Sequence, residues 1–479
     1  MNKNTFSKLH NIRRQVYLIL AAFALLFCSV NAAACGLRSG GLNVSEAYSS
    51  AASCSSVSHI AADRLAAHPS ALYLSGQSVD SISPDTLPEA LEDVSDVDAP
   101  KESSIPLDST SEAIVAGLKS LISSTEIFNR TQLGLYVYDL TTDAPLFAQG
   151  EQQQLRPASC EKILTAAAGL HALGTDYKYT TTLSIDGEIS DSTLQGNVYL
   201  RGAFDPLLDG DDLRAFIKAL SDRGIKTING SVCFDRSFKD TTTMGWGWCW
   251  DDDMEPLTPL LFKKKPTLEK NFLAALADDS IRTTGGIQYA LVPSSAETIA
   301  TRSHTIDQIL LTMMKESNNL FAESLFYHLA AKGEHQWADS KRGRKAVGRF
   351  LAHCGVKADT YQVADGSGVS LYNYTTPEAL VRVLRYVYRH DDLYRHLHPA
   401  LPIAGKDGTL RKRMTSGKAH ENVHAKTGTV EGVSTLAGYA TAPNGHILCF
   451  AIMNQGIRHT STGRSFQDKV CRVLCGEEL

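Results

Sequence analysis

Nothing in the 479-residue chain repeats at a fixed period, which leaves solenoids and propellers without support. No Cys-x-x-Cys pair or His-rich tract offers metal-ligand spacing, so no metal site and no cofactor is expected. Positive charge is not in excess either. Lys and Arg number 47 against 52 Asp and Glu, a net charge of -5, and no broad electrostatic attraction to nucleic acid follows. The single basic run, Lys263-Lys264-Lys265, is closed by Pro266 and reads as a solvated loop. Cysteine is present, ten in all, but without the dense spacing of a disulfide scaffold. Cys233 with Cys249, or Cys471 with Cys475, would pair only if the fold brought them together, and four residues apart on a helix is poor disulfide geometry. His396-Leu397-His398 lies in a polar stretch ending at Pro399 and reads as a surface loop. What remains is an ordinary globular composition, 43% hydrophobic and 21% charged, in a chain long enough for two domains.

The only long apolar run sits at the N-terminus. Lys3, Lys8, Arg13 and Arg14 precede Val16 to Phe27, and Ala32-Ala33-Ala34 follows, the pattern of a secretory signal peptide over 1–34. An exported protein, periplasmic or associated with the cell envelope, is therefore expected. Ala32 stands where a leucine would favour lipid attachment to Cys35, so lipidation there is disfavoured. Residues 35–110, rich in Ser, Ala and Asp, read as a tether. Helical spacing of Ile114, Leu118 and Leu121 marks the start of folded structure, and a hairpin follows around Thr141-Thr142-Asp143. Strands from Thr435 to Ala442 and His446 to Asn454, then a helix from about Ser465, close the chain. Strands at both chain ends with helices between predict an α/β (α+β) core from 111–176 and 301–479. The alternating strands and turns of 177–300 predict an inserted β-rich domain.

Three short motifs carry chemistry. Arg156-Pro157-Ala158-Ser159-Cys160-Glu161-Lys162 opens a helix, and Ser159 and Lys162, three apart, share one of its faces. A serine hydroxyl is a weak nucleophile until a base takes its proton, and a lysine serves if neighbouring cations lower its pKa. Alone, this pair also fits a capping serine beside a solvated lysine. Lys315-Glu316-Ser317-Asn318-Asn319 interrupts two amphipathic stretches; Ser317 could relay a proton and Asn319 bind a substrate amide, or both could simply cap helices. His424-Ala425-Lys426-Thr427-Gly428-Thr429 precedes the strand-rich end. Lys426, Thr427 and Thr429 suit a carboxylate, and Gly428 lets an edge strand approach a ligand, though a plain turn would also fit. Ser-x-x-Lys, Ser-x-Asn and Lys-Thr-Gly in this order are a combination that coincidence does not readily supply.

With these motifs the chain resembles the class C low-molecular-mass penicillin-binding proteins, the D-alanyl-D-alanine carboxypeptidase and endopeptidase family. Asp365-Gly366-Ser367-Gly368-Val369-Ser370, the run from Leu401 to Leu410, and Gly245-Trp246-Gly247-Trp248-Cys249-Trp250-Asp251 add to the likeness. The resemblance implies a penicillin-binding, serine β-lactamase-like transpeptidase core, an antiparallel sheet flanked by helices, with the accessory domain inserted after the first motif. It implies Ser159 as nucleophile, Lys162 as base, Ser317 as proton donor to the leaving group, and the Ser159 and Thr429 amides as oxyanion hole. Asn319, Lys426, Thr427, Gly428 and Thr429 would bind substrate. Partners implied are peptidoglycan peptides ending in D-Ala-D-Ala, with β-lactams as inhibitors.

Two departures stand out. Leu371 occupies a position where the family often carries Arg, and Asp235 or Asp240 is the acidic residue left to meet a diamino-acid amine. Ala203-Phe204-Asp205-Pro206 replaces a Gly-Asp-Pro and reads as a structural turn, and Cys160 sits roughly 200° around the helix from Lys162, away from the chemistry. A serine β-lactamase would use the same motifs, yet no Glu-x-x-x-Asn loop lies between Asn319 and Lys426. A noncatalytic wall-binding or β-lactam-sensing protein would not need Ser159, Lys162, Ser317 and Lys426 intact.

Overall fold

The computed structural model describes residues 106–478 apart from 253, 334 and 335, so the expected signal peptide and nearly all of the expected tether lie outside the described residues. Helix α1 (Ser109–Ser123) begins where the Asp108 side chain accepts the Ser111 amide, which satisfies an orphan N–H of its first turn. The predicted hairpin follows as β1 (Gln132–Asp139) and β2 (Ala144–Gln149), and after it comes α2 (Glu161–Leu173). A second region then holds β3 (Lys178–Ser190), β4 (Thr193–Arg201), α3 (Gly210–Asp222), β5 (Thr227–Ile228), β6 (Val232–Asp235), α4 (Leu268–Asp278), β7 (Arg282–Thr283), β8 (Ile287–Tyr289) and β9 (Glu297–Thr305). The chain returns through helices α5 (Ile306–Lys315), α6 (Asn319–Ala331), α7 (Ser340–His353), α8 (Pro377–Arg389) and α9 (Asp391–Ala400). It finishes with β10 (His424–Val430), β11 (Val433–Thr441), β12 (Ile447–Gln455) and α10 (Thr460–Leu474).

One five-stranded antiparallel sheet has the order β10-β11-β12-β1-β2, so the first and last strands of the chain lie side by side, with Leu135 opposite Ile452. Its middle strands are buried almost throughout because helices cover both faces. Strand alternation divides β1 accordingly: Leu135 and Val137 pack with Leu118 of α1 and Val470 of α10, whereas Tyr136 and Tyr138 join Ile163 of α2 and Leu325 of α6. Truncating a fully buried leucine such as Leu135 or Leu325 to alanine costs about 2–5 kcal/mol.

The second sheet is built wholly from strands between Lys178 and Thr305. Its longest pairing is the β3–β4 hairpin, turned by Asp191 and Ser192, both left-handed. Helices α3 and α4 bury Phe216 and Phe272 in a separate apolar cluster with Val198 and Phe234. The exit from this sheet positions the site. Thr305, the last residue of β9, is also the N-cap of α5, with Gln308 completing a reciprocal capping box, so the chain passes without slack into the helix that ends before Ser317.

The His396-Leu397-His398 segment is not a loop. It lies in α9, because Leu393 and Leu397 bury one helical face and Pro399 falls in the last turn. His396 meets Asp307, and the His398 ring stacks on His424 with centroids 4.3 Å apart.

Candidate active site

Ser159 does not sit in the first turn of an α-helix as expected, but in a 3-10 turn, Ala158–Cys160, that runs into α2. Ala158 is left-handed at φ 46°, a strained conformation for a residue with a Cβ. Two glycines hold this turn from outside. A Cβ on Gly368 would lie 1.9 Å from the Ala158 carbonyl, and one on Gly428 would lie 2.7 Å from the Pro157 carbonyl and 3.0 Å from the Ser159 amide. The edge strand β10 therefore packs against the backbone of Ser159, which is why its third motif needs glycine.

Lys162, one turn on, is fully buried, and its Nζ donates to Ser159 Oγ at 2.9 Å, Asn319 Oδ1 at 2.7 Å and the Ser367 carbonyl at 2.7 Å. Burial lowers its pKa to about 8, against the opposing pull of Asp365 and Glu323. Desolvation, rather than the neighbouring cations expected from sequence, is thus what readies the amine. Asn319, expected to bind a substrate amide, spends its Oδ1 on this lysine and so also fixes the amine's direction.

Ser317 lies between α5 and α6 with a left-handed φ of 58°, which turns its hydroxyl to Lys426 Nζ at 2.7 Å. Lys426, on β10, is fully buried and also donates to the Thr427 carbonyl at 2.8 Å. Burial, and after it the charge of Lys162, pulls Lys426 well below the ordinary lysine range. Thr427 Oγ1 pairs with Thr409 Oγ1 at 2.8 Å, and Thr429 stands exposed further along the edge strand. The structure thus joins Ser159, Lys162 and Asn319 in one hydrogen-bonded group and Ser317 with Lys426 in another, and Gly428 bridges them through its approach to the Ser159 amide.

Several supports were not visible as such in the sequence. Asp365 is buried and accepts from the Gly368 and Ser370 amides, Asn373 Nδ2 and Trp248 Nε1, all within 2.7–2.8 Å. This knot presents the Ser367 carbonyl to Lys162, and its Trp248 comes from the Trp-rich run of the second region. Lys315 binds Asp407 and the Leu401 carbonyl, each at 2.6 Å, and so seats the loop that carries Thr409. The signal for both was the pair of Gly- and Asp-containing runs, whose partners lie far away in sequence.

Cys160 is buried, donates its thiol to the Lys426 carbonyl at 3.2 Å, and is pushed to higher pKa by burial, as suits a packing residue. The seven cysteines among the described residues are all free. Asp235 and Asp240 are committed elsewhere: Asp235 caps the Ser237 and Val292 amides, and Asp240 pairs with Lys239. Leu371 is partly exposed beside Tyr372, and its carbonyl accepts from Arg156 Nε at 3.1 Å.

Residues 114–261 and 260–475 match the D-Ala-D-Ala carboxypeptidase 3 (S13) family. The chain belongs to this family. A carboxypeptidase DacB of Mycolicibacterium smegmatis is 32% identical over 384 residues, 71% of this chain and 80% of that one. The D-alanyl-D-alanine carboxypeptidase DacB of Haemophilus influenzae is 27% identical over 396 residues, covering 64% of this chain and 81% of the relative. The crystal structure of penicillin binding protein 4 from the same organism superposes with a TM-score of 0.65 at 23% identity, over 71% of this chain and 95% of that one. The same protein complexed with a β-lactam gives 0.62 at 22%, over 74% and 98%. These superpositions speak for the fold: the antiparallel sheet between helices is that of penicillin-binding proteins. The chain is accordingly an enzyme, a D-Ala-D-Ala carboxypeptidase by family.

Proposed function

We propose that this carboxypeptidase works through an acyl-enzyme on Ser159, with Lys162 as base. The observation that carries the reading is the geometry around Lys162 Nζ. When the amine is neutral, Asn319 Oδ1 and the Ser367 carbonyl take its two N–H groups, and the lone pair is left facing Ser159 Oγ at 2.9 Å. Ser159 Oγ attacks the carbonyl of the penultimate D-alanine, and its proton passes to Lys162. The Ser159 and Thr429 amides hold the oxyanion, a role favoured by the close approach of β10 at Gly428. On collapse the C–N bond breaks, and the departing amine takes the Ser317 hydroxyl proton, which the hydrogen-bonded Lys426 can replace. Lys426, Thr427 and Thr429 receive the terminal carboxylate. Once the proton held by Lys162 has refilled Lys426, Lys162 takes one from the water that attacks the ester and returns it to Ser159 Oγ as the ester C–O bond breaks.

The substrate read from this chemistry is a peptidoglycan stem peptide ending in D-Ala-D-Ala. A crosslink offers the same D-alanyl carbonyl, so the attack serves an endopeptidase as well. A β-lactam imitates the D-Ala-D-Ala end and acylates Ser159. The positively charged, apolar N-terminal segment supports work outside the cytoplasm, in the periplasm or cell envelope. The test is release of free D-alanine from a pentapeptide ending in D-Ala-D-Ala. Wild type releases it and Ser159→Ala does not; equal release by both, or none by wild type, overturns the reading.

A further inference from the structure

Behind the Ser159 turn, three buried carboxyl groups face Lys162, and they differ in how many donors they meet. Asp365 accepts four hydrogen bonds. Glu323 of α6, almost fully buried, has the Gly366 amide at 3.1 Å and the Ser367 hydroxyl beside it. Glu161 of α2, adjoining the nucleophile's turn, is completely buried, and neither of its oxygens has a hydrogen-bond partner among the described residues. A carboxylate without donors in a dry interior is far costlier than its protonated form. Glu161 is therefore held protonated near neutral pH.

From this gradation we infer that Glu161 and Glu323 are a protonated carboxyl pair that positions the proton equilibrium of Lys162, keeping negative charge away from the base. The inference rests on reading Lys162 as the base. Were all three carboxyls ionised, their fields would hold the amine as ammonium and withhold its lone pair from Ser159. Other groups facing this cluster are the Cys160 thiol, which also favours the charged form of Lys162, and the Lys426 amine, which the charge of Lys162 disfavours as an ammonium. Burial acts in the same sense on the pair: Glu323 is raised to about 8, chiefly by desolvation and then by Asp365, and Glu161 is raised well above the ordinary range. Glu323 and Lys162 thus titrate in one window and are coupled. As pH rises, the Glu323 carboxylate forms and holds the ammonium on Lys162, which delays and spreads the appearance of free base.

The rate of acylation of the full chain by a fluorescent penicillin, measured from about pH 6 to about pH 10, reads this coupling. Glu323→Gln keeps the shape of the protonated acid but cannot ionise. Its midpoint is expected to move to lower pH by about one unit, with Glu161→Gln moving it less in the same direction. Midpoints that coincide with wild type while the rates fall evenly would mean the pair is merely structural and would overturn the inference. Carbon-13 NMR of glutamate carboxyls in wild type decides the matter should the variants not fold. Two side-chain resonances titrating above neutral pH are expected, and none doing so refutes the pair. Absence of any wild-type adduct would instead refute the acyl-enzyme reading, leaving the NMR outcome to judge the pair by itself.

Discussion

Two corners of the site each join a serine hydroxyl to a fully buried lysine, Ser159 with Lys162 and Ser317 with Lys426, and they differ in what surrounds the amine. Lys162 stands among carboxyls that oppose the effect of burial, but burial outweighs them and its pKa falls to about 8. Around Lys426 the main influences are burial and the charge of Lys162, which act together, with only the Cys160 thiol opposing them. The first corner is thus tuned to exchange a proton near neutral pH. The second is electrically unfinished, and an arriving carboxylate would restore its charge. In the proposed mechanism one site therefore uses two lysines differently, Lys162 as base and Lys426 as anion receptor.

The comparison breaks most visibly by deleting each amine in turn. Lys162→Met is expected to lower the penicillin acylation rate about 10³-fold with little change in substrate affinity, as a lost general base should. Lys426→Met is expected to raise KM for the D-Ala-D-Ala peptide by about tenfold or more, as a lost carboxylate receptor should. Steady-state and single-turnover kinetics separate the two, and equal effects on both parameters would erase the distinction.

Next in size is Gly428→Ala, which forces a Cβ against the Pro157 carbonyl where the strand of the second corner touches the turn of the first. A loss of about 1–3 kcal/mol in stability, read by urea unfolding, and a clear drop in acylation are expected. The carboxyls of the first corner give a subtler effect. Glu323 has a folded pKa of about 8 against an ordinary 4.5, so the folded state holds a proton that the unfolded chain has released. Stability is then fully present below about pH 4.5 and falls as pH rises towards 8; thermal melts should show this decline in wild type and a shallower one in Glu323→Gln. Smallest is Trp248→Phe, which removes one of four donors to Asp365 and should cost about 1 kcal/mol in the same unfolding assay.

Both lysine–serine pairs rested on motifs that the sequence displayed, because three-residue spacing and strand or helix context are local properties. Ser159 with Lys162 could be placed on one face from spacing alone, and the strands at both chain ends could be paired from their alternation and turns. What surrounds the amines could not be read in this way. Ser367, whose carbonyl holds Lys162, lies 205 positions away in the chain, and Ser317 lies 109 positions from Lys426. Nothing in the sequence marked out Glu161 or Glu323, since burial belongs to the packing of α2 against α6 rather than to either segment. His398 was misplaced for a related reason: its neighbours are polar, and only the burial of Leu393 and Leu397 makes that stretch a helix. The expectation that cations would lower Lys162 likewise mistook the stronger influence, which is desolvation.

In the proposed mechanism Ser159 Oγ is the atom acylated, and Lys162 makes it nucleophilic. The most direct measurement is intact-mass analysis after incubation with penicillin, followed by peptide mapping, on wild type, Ser159→Ala and Lys162→Met. A single penicilloyl adduct is expected on the peptide containing Ser159 in wild type, none in Ser159→Ala, and one that forms only very slowly in Lys162→Met. An adduct on another residue, or one formed equally fast without Lys162, would contradict the mechanism.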